Sequence, residues 1–254
     1  MTRRCCGPMP GSDATPVLTA RNLVAAYLPG INILNGMSVD VLAGQVRCVL
    51  GPNGTGKSTL LKVLFGFLPA QQGDMQFGST SLHGVASHAM GRLGITYLPQ
   101  RPSVFPFLPV EVNLRLGTWS FRRDRALARS RIERAYAQFP VLAERRRQAA
   151  GTLSGGQQRQ LEIARALLTD PTVMLIDEPT ASIEPRIAAQ IYALIAGLAR
   201  DGKAILLVDQ NIKGALGIAD YVYVMRTGAL FDEGPREAFA DDVETLVSRW
   251  LYTT

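Results

Sequence analysis

GPNGTGKST, residues 51–59, is the stretch that decides the fold class of this chain. It satisfies G-x-x-x-x-G-K-[ST], the pattern of a phosphate-binding loop, at every defined position. Glycines let such a loop wrap so that its backbone N–H groups point at phosphate oxygens. The apolar run VRCVL precedes the loop, and a helical pattern with Leu60, Leu61 and Leu64 on one side follows it. A chance glycine-rich turn would not have this strand–loop–helix setting, so the stretch predicts a nucleotide site.

The loop and one acidic strand end supply the residues that phosphate chemistry needs. Lys57 is predicted to reach the β- and γ-phosphates, and the Ser58 hydroxyl to bind Mg²⁺. Asp177 ends the apolar strand VMLID, where its carboxylate would meet the same metal, and Glu178 follows as a general base. The guanine-recognition sequence N-K-x-D does not occur, so ATP is favoured over GTP. The predicted ATP-binding residues of the loop are Gly51, Pro52, Asn53, Gly54, Thr55, Gly56, Lys57, Ser58 and Thr59.

Composition limits the class of protein without choosing a partner. The 254 residues are 47% hydrophobic and 19% charged, which suits one large globular domain or two small ones. The net charge of +6 could suit nucleic acid, an anionic membrane or an anionic ligand. No apolar run is long enough to span a membrane, and residues 1–16 predict a flexible tail rather than a secretion signal. Cys5, Cys6 and Cys48 make no zinc spacing, and reduced thiols in the cytosol are expected.

The pattern of apolar residues divides the chain into three parts. The opening third reads as short strands and turns, whereas residues 110–150 hold helical patterns and no convincing strand. Nine arginines between Arg122 and Arg147 indicate a solvated helix face or a docking surface. VMLID and AILLVD read as central parallel strands joined by a crossover helix over 185–200. The prediction is an α/β core with an inserted α-helical subdomain at about 105–165. A last amphipathic helix is predicted to turn four residues inward, Val243, Leu246, Val247 and Trp250.

A second glycine-rich motif, LSGGQ at 153–157, stands before a good helical pattern. Backbone N–H groups at the start of such a helix form a phosphate-binding site, although the 51–59 loop already provides one. GPNGTGKST, YLPQ at 97–100, LSGGQ and VMLIDEPT at 173–180 occur in this order. From about residue 17 to the end, the chain resembles the ATP-binding subunit of an ABC transporter. The resemblance implies a P-loop ATPase domain of the ABC type over 17–254, with a strand-rich N-terminal part.

The resemblance explains the second phosphate-binding site, because two such subunits pack head to tail. The P-loop of one subunit and the LSGGQ helix of the other close on a single ATP. By position, Tyr27 would stack on adenine, unless it is an ordinary core tyrosine. Gln100 would touch Mg²⁺ and sense the membrane partner. The residues predicted to contact the ATP of the partner subunit are Ser154, Gly155, Gly156 and Gln157.

The resemblance also implies the partners and the location of the chain. The expected partners are a second ATP-binding subunit, identical or different, and two transmembrane permease subunits. An external solute-binding protein would act indirectly, and no nucleic acid is expected. The chain would lie in the cytoplasm, peripheral on the inner face of the cell membrane.

Two positions depart from the pattern of most relatives. Glu184 replaces the Asp of T-S-A-L-D-P in the segment that faces the second subunit, which keeps the charge but adds a methylene. Gln210 stands where most relatives carry a histidine that contacts the γ-phosphate, and the only histidines, His83 and His88, lie far upstream. A glutamine amide can donate to phosphate and orient water but cannot transfer a proton at neutral pH. The base role therefore falls on Glu178, with Gln210 as a second catalytic residue.

Two segments narrow the class of transporter. VDQN at 208–211 and YLPQRPSVFP at 97–106 resemble the ATP-binding subunits of branched-chain amino acid importers. Close relatives of those importers carry urea or short amides, and LEIARAL resembles the ATPase of lipopolysaccharide export. A soluble ABC-type ATPase that acts on ribosomes or DNA is an alternative from another class. Import of branched-chain or related amino acids across the inner membrane is the preferred hypothesis.

Overall fold

The computed structural model of the protein describes residues 15–240. The predicted last helix, Cys5, Cys6 and all but the end of the predicted tail lie outside the described residues. The strands are β1 (Leu18–Leu28), β2 (Ile31–Val41), β3 (Val46–Leu50), β4 (Gln72–Phe77), β5 (Thr80–Ser81), β6 (Ile95–Leu98), β7 (Val173–Asp177), β8 (Ala204–Val208), β9 (Tyr221–Arg226) and β10 (Ala229–Pro235). The helices are α1 (Lys57–Leu64), α2 (Ser87–Leu93), α3 (Val110–Gly117), α4 (Arg125–Gln138), α5 (Pro140–Glu144), α6 (Gly155–Leu167), α7 (Pro185–Arg200), α8 (Ile212–Leu216) and α9 (Glu237–Ala240).

A six-stranded sheet in the order β10-β9-β3-β8-β7-β6 forms the centre of the fold. Its strands are parallel except for β10, which pairs antiparallel with β9 at one edge. Every residue of β3, β7 and β8 is buried, as expected of parallel strands that are covered on both faces. The predicted central strands and the crossover helix α7 are therefore confirmed.

The six-stranded sheet carries an apolar core on each of its faces. Because side chains alternate along a strand, Cys48 and Leu50 of β3 join one core and Val49 joins the other. The core around Cys48 is closed by α6 and α7. The core around Val49 is closed by α1 and by a second, antiparallel sheet in the order β2-β1-β4-β5. Cys48 is a fully buried core residue, as its apolar neighbours in the sequence predicted.

Several elements differ from those that the sequence predicted, among them β2, α2 and α8. β2 spans Ile31–Val41, whereas only its last part, MSVDV, read as a strand. The helices α2 and α8 were not predicted. Each is at most seven residues long, so it completes too few turns to show an apolar period.

The region between β6 and β7 is helical, and it holds α3, α4, α5 and α6. Its division from the core as a subdomain over about 105–165 remains a prediction. Most of its nine arginines are exposed, in keeping with a solvated face. Arg131 is an exception, because it donates to the Leu168 carbonyl at 3.0 Å and pairs with Asp170 at 3.7 Å. Within residues 15–240, no helix is long and apolar enough to cross a membrane.

We expect the central sheet to dominate the stability of the fold. Leu206 of β8 is fully buried, and Leu206→Ala should lower the free energy of unfolding by about 2–5 kcal/mol through lost burial and a residual cavity. Leu28 is 62% exposed, and Leu28→Ala should change the same quantity by less than about 0.5 kcal/mol. Urea unfolding followed by circular dichroism measures both. Equal losses in the two variants would contradict this assignment of the core.

Candidate functional site

The 51–59 loop joins β3 to α1, and two of its glycines are required by close packing. A Cβ built on Gly51 would lie 2.3 Å from the Met225 carbonyl oxygen. Gly56 has φ +99°, and its Cβ would lie 3.0 Å from the Ile33 carbonyl oxygen. A side chain at either position would collide with backbone, so the loop depends on glycine for its curvature. Gly56 is also the residue before α1, whose first N–H groups therefore open toward the loop.

Lys57 folds over this loop. Its Nζ donates to the carbonyl oxygens of Gly51 at 2.8 Å and Pro52 at 3.0 Å. Burial lowers the pKa of Lys57, and the nearby carboxylates of Glu178 and Asp177 oppose that shift. The loop thus holds a positive charge among its carbonyls, at the place where the sequence predicts phosphate.

Ser58 and Asp177 meet although they lie far apart in the sequence. The Ser58 hydroxyl donates to Asp177 Oδ1 at 2.9 Å, and the Tyr97 hydroxyl donates to Asp177 Oδ2 at 3.1 Å. Burial raises the pKa of Asp177, and these two hydrogen bonds oppose the shift. The sequence reading used Tyr97 only as part of YLPQ and did not identify its contact with Asp177.

The donors of this corner suit a magnesium ion. A hydroxyl, a carboxylate and the amide of Gln100 offer the oxygen atoms that Mg²⁺ prefers, and nucleotide phosphates commonly complete such a site. No group of three or more His, Cys, Asp or Glu side chains among residues 15–240 could hold a metal by itself. The Ser58 hydroxyl, the Asp177 carboxylate and the Gln100 amide oxygen are ligands that fit a magnesium ion.

Glu178 is held beside this corner by its backbone and its side chain. It has φ +41°, and its backbone N–H donates to the Val208 carbonyl at 2.8 Å. The Gln100 amide donates to Glu178 Oε2 at 2.7 Å. Burial raises the pKa of Glu178, and the Lys57 charge opposes that shift. The Glu178 carboxylate lies close enough to Lys57 for the two charges to interact.

These side chains border one open cleft of about 450 Å³. Tyr27 is 53% exposed at its edge, so the alternative of an ordinary core tyrosine is wrong. Its stacking on adenine remains a prediction. Of the predicted ATP-binding residues, Gly51, Pro52 and Thr55 do not line the cleft. The residues that line it are Tyr27, Ile33, Asn53, Gly54, Gly56, Lys57, Ser58, Thr59, Gln100, Glu178 and Gln210.

The LSGGQ motif lies at the start of α6 and does not line this cleft. Ser154 caps the helix, because its hydroxyl accepts from the Gln157 N–H while the Gln157 side chain accepts from the Ser154 N–H. The two glycines differ in their surroundings. A Cβ on Gly156 would lie 2.2 Å from Ile187 Cγ2, whereas a Cβ on Gly155 would meet no atom within 4 Å. Packing explains Gly156, and Gly155 faces open space.

Comparison with known proteins agrees with this arrangement. The sequence profile of the ABC transporter family matches residues 34–181, more than half of the chain. The chain belongs to the ABC transporter family. As an ABC ATPase it binds and hydrolyses ATP. The order of its motifs and the fold are those of the family, and the predicted fold class is confirmed.

Several curated ABC relatives cover most of their own length in the match. The high-affinity branched-chain amino acid transport ATP-binding protein BraG of Pseudomonas aeruginosa is 38% identical over 82% of this chain and 88% of the relative. The probable branched-chain amino acid transport ATP-binding protein LivF of Archaeoglobus fulgidus is 38% identical over 80% and 86%. The lipopolysaccharide export system ATP-binding protein LptB of Escherichia coli is 35% identical over 89% and 93%.

A solved structure shows the same ABC fold. The crystal structure of a nucleotide-free ATP-binding cassette from an ABC transporter matches with a TM-score of 0.83 and 27% identity. The match covers 94% of this chain and all of that one. The central sheet and its covering helices are therefore those of an ABC cassette.

Arg159 is a residue of this ABC ATPase that the sequence reading missed. It lies on α6, is almost fully buried, and its guanidinium donates to three backbone carbonyls at 2.9 Å each, those of Pro99, Gln100 and Pro179. It also pairs with Glu162 at 2.9 Å. Burial lowers the pKa of Arg159, and the Glu162 charge opposes that shift. Arg159 thus ties the LSGGQ helix to the segments that carry Gln100 and Glu178.

Loss of the Arg159 guanidinium should destabilise the fold. Arg159→Met removes the cation that pairs with buried Glu162 at 2.9 Å and the donor to three backbone carbonyls, so we expect the free energy of unfolding to fall by about 3–5 kcal/mol. Arg129 is exposed on α4, and Arg129→Met should change the free energy of unfolding by less than about 0.5 kcal/mol. Urea titration of both variants against the parent chain measures the difference. If the two substitutions have the same effect, the buried contacts of Arg159 do not stabilise the fold.

Proposed function

We propose that this ABC ATPase works as one of a pair of ATP-binding subunits in an importer of branched-chain or related amino acids. One observation carries the pairing. The P-loop cleft and Gly155 of the LSGGQ motif lie in separate pockets of the same chain. A single chain therefore presents two half-sites, and a second subunit would supply the missing half of each.

The start of α6 is suited to the phosphates of an ATP held by another subunit. The first N–H groups of a helix have no partner within the helix, and the helix dipole adds partial positive charge there. Capping uses the side chains of Ser154 and Gln157 and leaves the open face at Gly155 without a side chain. A phosphate can approach that backbone closely.

The cleft side chains would divide the hydrolysis reaction between them. Lys57 and the loop N–H groups would bind the phosphates, and Tyr27 would stack on adenine. Glu178 would accept the proton of the attacking water, since Gln210 can orient water but cannot accept a proton at neutral pH. Ser58, Gln100 and Asp177 would hold Mg²⁺, which supplies charge neutralisation on the phosphates when it is bound.

A groove of about 420 Å³, separate from the cleft, would receive a permease subunit. It runs from the end of β6 to α3 and α6, and Phe105 and Trp119 on its wall are 47% and 63% exposed. Arg165 and Glu162 add charge to the same groove. A permease segment with apolar and charged residues would fit it, and the chain would then lie peripherally on the inner face of the cell membrane.

The substrate class rests on likeness to relatives, because the transported solute would not touch this subunit. BraG and LivF favour branched-chain amino acids, as does Gln210 in the segment VDQN. The second candidate is lipopolysaccharide export, favoured by the likeness to LptB over 89% of the chain.

Substitution at Glu178 tests the assignment of the base. Glu178→Gln should lower ATP turnover by more than about 100-fold, because a positioned general base contributes about 10²–10⁴. Gln210→Ala should lower it by about tenfold, the worth of one hydrogen bond to a charged group. Steady-state phosphate release measures both. Near parental turnover of the Glu178→Gln variant would refute the base assignment.

The same variant tests the pairing. With ATP present, the Glu178→Gln variant should elute from a sizing column as a dimer, because ATP binds and is not hydrolysed. Adding Gly155→Asp should abolish that dimer, since the new carboxylate repels phosphate while open space at this position spares the fold. A dimer that persists in the double variant would contradict a shared ATP site. If the Glu178→Gln variant forms a dimer only when a different ATP-binding subunit is added, the pair is heteromeric.

Measurements of uptake and of surface lipopolysaccharide in whole cells test the choice of substrate. In cells whose native copy is replaced by the Glu178→Gln variant, we expect ATP-driven uptake of labelled leucine to be lost and surface lipopolysaccharide to be unchanged. The parent chain should co-purify with a multi-span permease from detergent extract. Normal leucine uptake with a lipopolysaccharide defect would support the export alternative. Sedimentation with ribosomes would support the soluble class of ABC ATPase.

A further inference from the structure

A buried tyrosine links the two segments that carry Glu178 and Gln210. Tyr192 lies on α7, and its hydroxyl donates to Asp209 Oδ2 at 2.8 Å. Thr180 Oγ1 lies 2.8 Å from the same hydroxyl oxygen. Because an ionised carboxylate can only accept, the hydrogen bonds run from Thr180 to Tyr192 to Asp209. All three side chains are buried.

Asp209 anchors the turn that presents Gln210. Its Oδ1 accepts from the Asn211 N–H at 2.9 Å, so its carboxylate closes the turn between β8 and α8. Asp209 is 1% exposed, whereas Gln210, the next residue, is exposed on the wall of the cleft. The orientation of the buried carboxylate therefore sets where the exposed amide lies.

Thr180 anchors the segment that follows Glu178. It stands two residues after Glu178, and the Ala181 N–H donates to the Glu178 carbonyl at 3.3 Å. The Ile183 N–H donates to the Thr180 carbonyl at 3.1 Å. The chain turns tightly here, so a shift of the Thr180 side chain would move the backbone of Glu178.

The tyrosine ring is fixed against α8. A Cβ built on Gly214 would lie 2.3 Å from Tyr192 Cε2, so the ring occupies the space that any other residue at 214 would fill. The hydroxyl is thereby directed between two loops that come from different strands. Packing alone would be satisfied by a phenylalanine, and the polar contacts account for the hydroxyl.

The Tyr192 hydroxyl stabilises the buried carboxylate of Asp209. A buried carboxylate without donors is costly, and burial raises the pKa of Asp209. Hydrogen bonds from the Asn211 N–H and from Tyr192 oppose that shift. Removal of the Tyr192 hydroxyl would leave Oδ2 without that donor, and the carboxylate would then be held only by the backbone N–H groups of Asn211 and Gln210.

We propose that Tyr192 is a positioning residue for ATP hydrolysis, whose hydroxyl holds the Glu178 segment and the Gln210 segment in one fixed relation across the cleft. The inference rests on the proposed roles of Glu178 and Gln210. It predicts an effect on turnover and not on nucleotide binding, because Tyr192 does not line the cleft.

Tyr192→Phe removes the hydroxyl and keeps the ring. We expect kcat for ATP to fall about tenfold while KM changes by less than about twofold, since the hydroxyl orients groups that act in the transition state. The matched control is Tyr136→Phe, whose hydroxyl is buried and has no hydrogen-bond partner among residues 15–240. It should leave both constants at the parental values. Parental kcat in the Tyr192→Phe variant would overturn the proposal.

A double variant separates positioning from a general loss of structure. In the Gln210→Ala background, Tyr192→Phe should lower kcat by less than about threefold, because the amide that it positions is already absent. An undiminished tenfold effect would overturn the coupling to Gln210. If the Tyr192→Phe variant folds poorly, Thr180→Val removes the other hydroxyl of the same hydrogen-bond chain. It should also lower kcat at constant KM. Full activity of the Glu178→Gln variant in the same assay would instead overturn the assigned base, a separate failure.

Discussion

The parallel register of β3, β8 and β7 is the constraint on which the site depends. Val208 of β8 pairs with Val49 on one side and with Asp177 on the other, so three strands end level with one another. Parallel strands place their carboxyl ends at the same edge of the sheet. The P-loop, the Asp177–Glu178 pair and the Asp209–Gln210 pair therefore leave the sheet side by side. Apolar cores on both faces keep the strands in this register.

Charge is balanced locally around that edge. Lys57 lies between loop carbonyls and two carboxylates, and Asp177 accepts from Ser58 and Tyr97. Burial acts against the ionised form of each of these groups, and the neighbouring donors and charges restore it. The cleft thus holds a cation and anions close together in a partly dry setting, where electrostatic interactions with phosphate are stronger than in water.

The LSGGQ helix borders a different pocket from the P-loop. Arg159 joins it to the segments of Gln100 and Glu178 through three carbonyls. Gly156 lets α6 pack against Ile187, and Gly155 stays open. In the proposed pair, the P-loop cleft would bind one ATP, and the open face at Gly155 would cover the ATP of the second subunit.

The sequence by itself determined the fold class, the central strands, the crossover helix and the motif residues of the cleft, because these depend on local periodicity and on short motifs with fixed spacing. It did not determine the helices α2 and α8, which are too short to show a period. Only the tertiary structure decided that Tyr27 is exposed, that Arg159 reaches three carbonyls and that Tyr192 joins Thr180 to Asp209. Those contacts join residues brought together by the parallel register, and no local pattern of apolar and polar residues encodes which buried polar groups will meet.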